Sequence, residues 1–195
     1  MPHILHYNYT ISKSSKKYVN DKIREEYFGK EHVNRENFHI LIDVIGDRLF
    51  KADIDKCTRI HAANIKSPVF HYLFDYRGAH SKTEIRSGTK GDIGVSHADD
   101  TMYVLKTTLD TLSTEEDRSV SKFMVDVFET FAKYGEPKIE IEWPEVSKSI
   151  TEPIVYLKIT STLDIEDEET LGNRKFWDSL PFQENERLFT AKTEL

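Results

Sequence analysis

The segment Gly94-Val95-Ser96-His97-Ala98-Asp99-Asp100 holds the residues best suited to chemistry. An imidazole titrates near neutrality and serves as general base or acid, and a loop held by rigid elements lets it reach a bound substrate. Asp99 and Asp100 suit the cap and first turn of a helix over about 102–107, where the macrodipole favours negative charge. A metal hydrolase would instead recruit His97, Asp99 and Asp100, with His71 or His80. The eight histidines form no His-Glu-x-x-His pair and no zinc-like cluster, which counts against that chemistry. Cys57 is the only thiol; it falls at a helical position compatible with core packing, where cysteine behaves as a small apolar residue.

The elements that must hold this loop are partly visible in the hydrophobic pattern. Val69 to Tyr76 reads as a strand covered on both faces, rich in aromatic residues and without period-2 alternation. The twenty residues that follow, 77–96, read as a long loop. Ser113-x-x-Glu116 is a capping box, followed by Val120, Phe123, Met124, Val127, Phe128, Phe131 and Ala132 at helical spacing up to Gly135 and Pro137. Upstream, Ser14 or Ser15 caps a helix over 16–28 that Gly29 ends. Asn34 caps a second, whose face is Phe38, Leu41, Ile42 and Ile45 and which Gly46 interrupts. A third covers 51–63. Downstream, Ile154 to Ile159 is a strand, 164–169 an acidic loop and 174–180 a short segment, with the tail 181–195 frayed. Phe70, Tyr72 and Phe74 read as sheet packing. No repeat or linker divides the chain, which reads as a single but incomplete domain. Two good strands are too few: a buried strand with unpaired backbone groups costs about 1–3 kcal/mol for each, so the rest of the sheet is missing.

The chain has 195 residues, 38% hydrophobic and 31% charged, with a formal net charge of -7. This composition excludes disordered, collagen-like and disulfide-scaffold classes. A sequence pI of about 5.6 without blocks of like charge argues against nucleic acid and anionic membranes as partners. No apolar run approaches the ~20 residues of a membrane span, and the first residues lack an apolar stretch of signal-peptide length. Asn8-Tyr9-Thr10 is an N-glycosylation pattern.

The loop GVSHADD resembles the Gly-x-x-His-x-Asp-[Asp/Glu] pattern that carries the catalytic histidine of type-B carboxylesterases, the cholinesterase-like branch of the α/β-hydrolase fold. Further matches follow in order: SPVFHYLFDY at 67–76, FAKYGEP at 131–137, IEWP at 141–144, YLKI at 156–159 and NRKFWDSL at 173–180. The resemblance runs from about Asn34 to Leu180 and is nearest in flavour to insect alpha-esterases and juvenile-hormone esterases. It implies an α/β fold: the C-terminal part of an α/β-hydrolase, helices plus the last strands of the central sheet. It also implies a serine esterase acting on a small-molecule carboxylic ester, with no cofactor and no metal.

Carried over residue by residue, the resemblance assigns one catalytic group, His97, as general acid/base of a Ser-Glu/Asp-His triad. The sequence has no Gly-x-Ser-x-Gly elbow and no adjacent glycine pair for an oxyanion hole. Glu25, Glu26 and Glu36 read as charges on solvated helix faces, not as the triad acid. The chain is therefore expected to begin after the triad acid and to be inactive alone. A non-catalytic, cholinesterase-like adhesion or binding module is the alternative. Asp47 and Arg59 form either a buried ion pair supporting the histidine loop or a solvated surface pair. Tyr103 and Leu105 are candidates to border an acyl or alcohol pocket. Secreted members of the family usually place a disulfide in this region, so the single cysteine either favours a cytoplasmic enzyme over a secreted one or reflects only what this stretch of chain contains.

Overall fold

The computed structural model describes residues 1–88, 94–106 and 112–185. The helices are α1 (Ser15–Phe28), α2 (Phe38–Gly46), α3 (Ala52–Asn64), α4 (Lys82–Ser87), α5 (Thr101–Val104), α6 (Glu115–Tyr134) and α7 (Arg174–Ser179). The strands are β1 (Tyr72–Phe74), β2 (Ile154–Ile159) and β3 (Leu163–Glu168). The chain divides into two compact units, one of residues 1–57 with 169–195 and the other of residues 58–168.

The first unit is helical and closes around Leu5, Tyr7, Val19, Ile23, Val44, Trp177 and Phe182, each with at most 1% of its surface exposed. Burying aromatic rings of this size dominates a core's energetics, and each polar edge needs a partner. Trp177 Nε1 accordingly donates to the Tyr27 hydroxyl at 2.9 Å, which donates to Asp47 Oδ2 at 2.9 Å. The Arg48 guanidinium lies 4.5 Å from the centre of the Phe182 ring and pairs with Glu184, a cation over a π face. Asp55, fully buried, accepts the Leu171 N–H at 2.9 Å and pairs with Arg174.

Several local expectations shift here. Ser12, not Ser14 or Ser15, takes the first free donor of α1, the Ser15 N–H at 3.1 Å. Asn34 instead folds a turn before α2, accepting the Glu36 and Asn37 N–H groups. In α2 the buried residue is Val44, while Phe38 and Ile42 are nearly half exposed. Gly46 does not stop the helix: its φ of -60° is helical, and the backbone widens into a π-helix over Asp47–Lys51 before α3. Cys57 is exposed, not core. The segment expected to fray is anchored at its start by Phe182, 0% exposed, and by buried Asn185; residues 186–195 lie outside the described residues.

In the second unit the sheet order is β1-β2-β3, with β1 parallel to β2 and β2 antiparallel to β3. Tyr72 stands opposite Leu157 and Phe74 opposite Ile159. The stretch read as an acidic loop is β3, an edge strand whose charged residues suit solvent-facing positions. β1 is only three residues long and is not covered on both faces, since Leu73 is 38% exposed. Phe70, Tyr72 and Phe74 do pack, edge-on against Phe131, edge-on against Phe128 and tilted at 5.1 Å to Tyr103, respectively. Helix α6 buries Val120, Met124 and Val127 but leaves Phe128 and Phe131 more than 40% exposed. Its capping box is Thr114 with Asp117, one residue later than Ser113 with Glu116.

Candidate active site

The long loop 77–96 contains α4, whose Ser81 cap accepts the Thr83 N–H at 3.2 Å. Residues 89–93 lie outside the described residues. From Gly94 the chain turns over 97–100 into α5, shorter than the 102–107 helix expected; residues 107–111 lie outside the described residues. His97 is exposed on this turn. Ala98 beside it holds φ at +70°, a left-handed conformation that costs a non-glycine residue about 1–2 kcal/mol. Such strain persists only where surrounding bonds over-determine the backbone, and here they do.

Asp99 is the main anchor. It is 3% exposed, and its carboxylate accepts Ser81 Oγ at 2.8 Å, the Ser96 N–H at 2.8 Å and the Lys82 N–H at 2.8 Å. One buried group thus ties the start of α4 to both sides of His97. Asp100 accepts the Tyr72 hydroxyl at 2.9 Å, joining the turn to β1. Burial, then the Asp100 charge and hydrogen bond, push the Tyr72 hydroxyl well above its ordinary range, so it remains a donor. Thr101 Oγ1 donates to the Ala98 carbonyl at 2.7 Å and receives Lys82 Nζ at 2.6 Å.

A second carboxylate organises the ground behind the turn. Asp117, 0% exposed, accepts the Thr114 N–H at 2.9 Å, the Tyr76 hydroxyl at 3.1 Å, the Ala79 N–H at 3.3 Å and the Tyr103 hydroxyl at 3.3 Å. Burial alone would raise its pKa, but the hydrogen bonds from Thr114, Ala79 and Tyr76 outweigh it and hold the carboxyl below its ordinary range. Desolvation and the Asp117 charge push Tyr76 up to about 12. Gly78 is required beside this cluster, because a Cβ there would collide with the Tyr103 hydroxyl and the Asp117 carboxylate.

The other candidates are placed differently. Tyr103 is buried in the core and Leu105 is 63% exposed. Asp47 is engaged by Tyr27 and Lys51, and Arg59 donates to the carbonyls of Ile150 and Glu152. Glu25, Glu26 and Glu36 are exposed. Asp99 and Asp100 are occupied as described, His71 Nδ1 lies 3.3 Å from Thr58 Oγ1, and His80 Nε2 lies 2.8 Å from Ser113 Oγ. Among the described residues, no three His, Cys, Asp or Glu side chains gather into a metal site. Nor, among them, is any helix long and apolar enough to cross a membrane. The anchoring roles of Ser81, the Lys82 amide and Tyr72 carry no signal in their spacing to His97.

His97 is thus an exposed side chain on a turn held by Asp99 and Asp100. The sequence matches the carboxylesterase family over residues 3–177. The chain belongs to that family. Venom carboxylesterase-6 of Apis mellifera is 32% identical over 188 residues, covering 94% of this chain and 34% of that protein. Esterase E4 of Myzus persicae is 35% identical over 187 residues, covering 90% and 33%. This carboxylesterase-family chain therefore spans about a third of the length of these curated relatives. The crystal structure of juvenile hormone esterase from Manduca sexta, with OTFP covalently attached, matches with a TM-score of 0.66 at 21% identity, over 92% of this chain and 35% of that one. A thermophilic pNB esterase matches with a TM-score of 0.56 at 20% identity, over 87% and 35%. The helices and small sheet are part of an α/β-hydrolase fold.

Proposed function

We propose that this chain is the C-terminal part of a serine carboxylic ester hydrolase and supplies its general acid/base, His97. The observation that supports this is the exposure of His97 on a turn anchored by the buried Asp99 and by Asp100. In the assembled site His97 would take the proton from a serine hydroxyl as it attacks the ester carbonyl. It would then return that proton to the departing alcohol. With no Gly-x-Ser-x-Gly and no paired glycines in its sequence, the chain alone lacks a nucleophile elbow and does not hydrolyse esters.

The test is complementation. The chain is co-expressed with the portion of esterase E4 that it does not match, and nitrophenyl ester hydrolysis is followed. Activity should appear only with both pieces, and His97→Ala should lower it on the order of 10³- to 10⁶-fold. Hydrolysis by the chain alone, or fluorophosphonate labelling of it, would overturn the reading.

A further inference from the structure

Asn8-Tyr9-Thr10 is the only Asn-x-Ser/Thr sequence in the chain, and nothing in the esterase reading uses it. Its placement is specific. A lysine ammonium can only donate, so the contact from Lys16 Nζ at 2.6 Å fixes which end of the Asn8 amide is oxygen. The amide nitrogen Nδ2 then points the other way. It makes no hydrogen bond among the described residues, on a residue that is half-buried. Tyr9 next to it is 86% exposed, and its ring offers an apolar face beside the amide.

Thr10 supplies the second observation. Its Oγ1 is buried and has no hydrogen-bond partner among the described residues. A hydroxyl in that condition costs folding free energy, and Ala would fill the place without that cost. The backbone here is already held without it, by Thr10 N–H to Tyr7 O at 3.3 Å and Gln183 N–H to Thr10 O at 2.9 Å. Among the described residues the hydroxyl serves no bond, but it is the group that an Asn-x-Thr acceptor sequence needs.

We infer that Asn8, in a chain that enters the secretory lumen, is an acceptor for an N-linked oligosaccharide and that the folded first unit carries the sugar without rearrangement. The sugar is transferred to the extended chain from a lipid-linked pyrophosphate donor. A bond forms between Asn8 Nδ2 and the anomeric carbon, and the bond from that carbon to the pyrophosphate oxygen breaks. The lipid pyrophosphate leaves with the electron pair, and one amide proton passes to a base of the transferase. Folding then keeps Oδ1 on Lys16 while the sugar extends from Nδ2 on the opposite side of the amide.

The full chain is expressed in insect cells behind a cleavable secretion leader and treated with peptide N-glycosidase. The expected result is one mobility step equal to a single glycan, absent in Asn8→Gln and Thr10→Ala and kept in Thr10→Ser. Thr10→Ala removes no hydrogen bond, so it separates loss of the glycan from loss of the fold. Glycosylated and enzymatically trimmed chains should melt at the same temperature. A secreted wild-type chain unchanged by the glycosidase, or a glycan confined to aggregated material, would overturn the inference.

Discussion

Replacing Asp99 by Ala should release the His97 turn, and the structure sets the scale. The carboxylate accepts three hydrogen bonds, from Ser81 Oγ, the Ser96 N–H and the Lys82 N–H, at 3% exposure. Bonds to a charged group are worth about 1.5–3 kcal/mol each, and a buried donor left without an acceptor costs about 1–3 kcal/mol. The three share one acceptor and are not additive, and removing the carboxylate also removes a desolvated charge. A net loss on the order of 3–5 kcal/mol follows. Asp99→Asn should lose less, about 1–3 kcal/mol, because its amide oxygen can still serve Ser81 and Ser96 while its NH₂ faces the Lys82 N–H. Urea denaturation followed by fluorescence gives the totals. Amide hydrogen exchange adds the location: protection at Ser96 and Lys82 should fall in both variants. An Asp99→Ala chain within about 0.5 kcal/mol of wild type, with exchange at those two amides unaltered, would refute the reasoning.

Other perturbations test the neighbouring ground. Gly78→Ala should destabilise by about 1–3 kcal/mol in urea, since its methyl group meets the Tyr103 hydroxyl and Asp117 carboxylate. At Ala98, with φ of +70°, Val should cost about 1–3 kcal/mol while Gly stays within about 1 kcal/mol of wild type in thermal melts. Asp117 has its folded pKa below the unfolded value, so its contribution is present above about pH 4 and is lost as pH falls through the lower folded value. Asp117→Asn should therefore be less stable at neutral pH, by urea midpoint, and the gap to wild type should narrow in acid.

Helix α6 was legible because apolar spacing and the stops at Gly135 and Pro137 agreed, α1 from its stop at Gly29, and β2 from its apolar run. The helix cap at α6 was ambiguous, because Ser113-Thr114-Glu115-Glu116-Asp117 holds two overlapping boxes. Tertiary partners separate them: Asp117 also receives Tyr76, Tyr103 and the Ala79 amide, which Glu116 at an exposed position does not. β3 was missed because Leu-Asp-Ile-Glu-Asp-Glu is poor in strand-favouring residues, and only pairing with β2 makes it a strand. His97 stood out by its loop, whereas its anchor at Ser81 and Lys82 lies across a stretch of chain whose length says nothing of proximity. The two-unit division was illegible for a related reason: its boundary at Cys57 and Thr58 falls inside the continuous helix α3, where no linker composition marks it.

That division bears on how the protein is made. The second unit is one uninterrupted stretch, 58–168, so every residue clustered around Met124 and Leu157 comes from that stretch. The first unit is written in two instalments, so Leu5, Tyr7, Val19 and Ile23 are synthesised early but must wait for Trp177, Leu180 and Phe182. For that interval its helices are an open apolar surface in a crowded cytosol or lumen, the period when a chaperone is most useful.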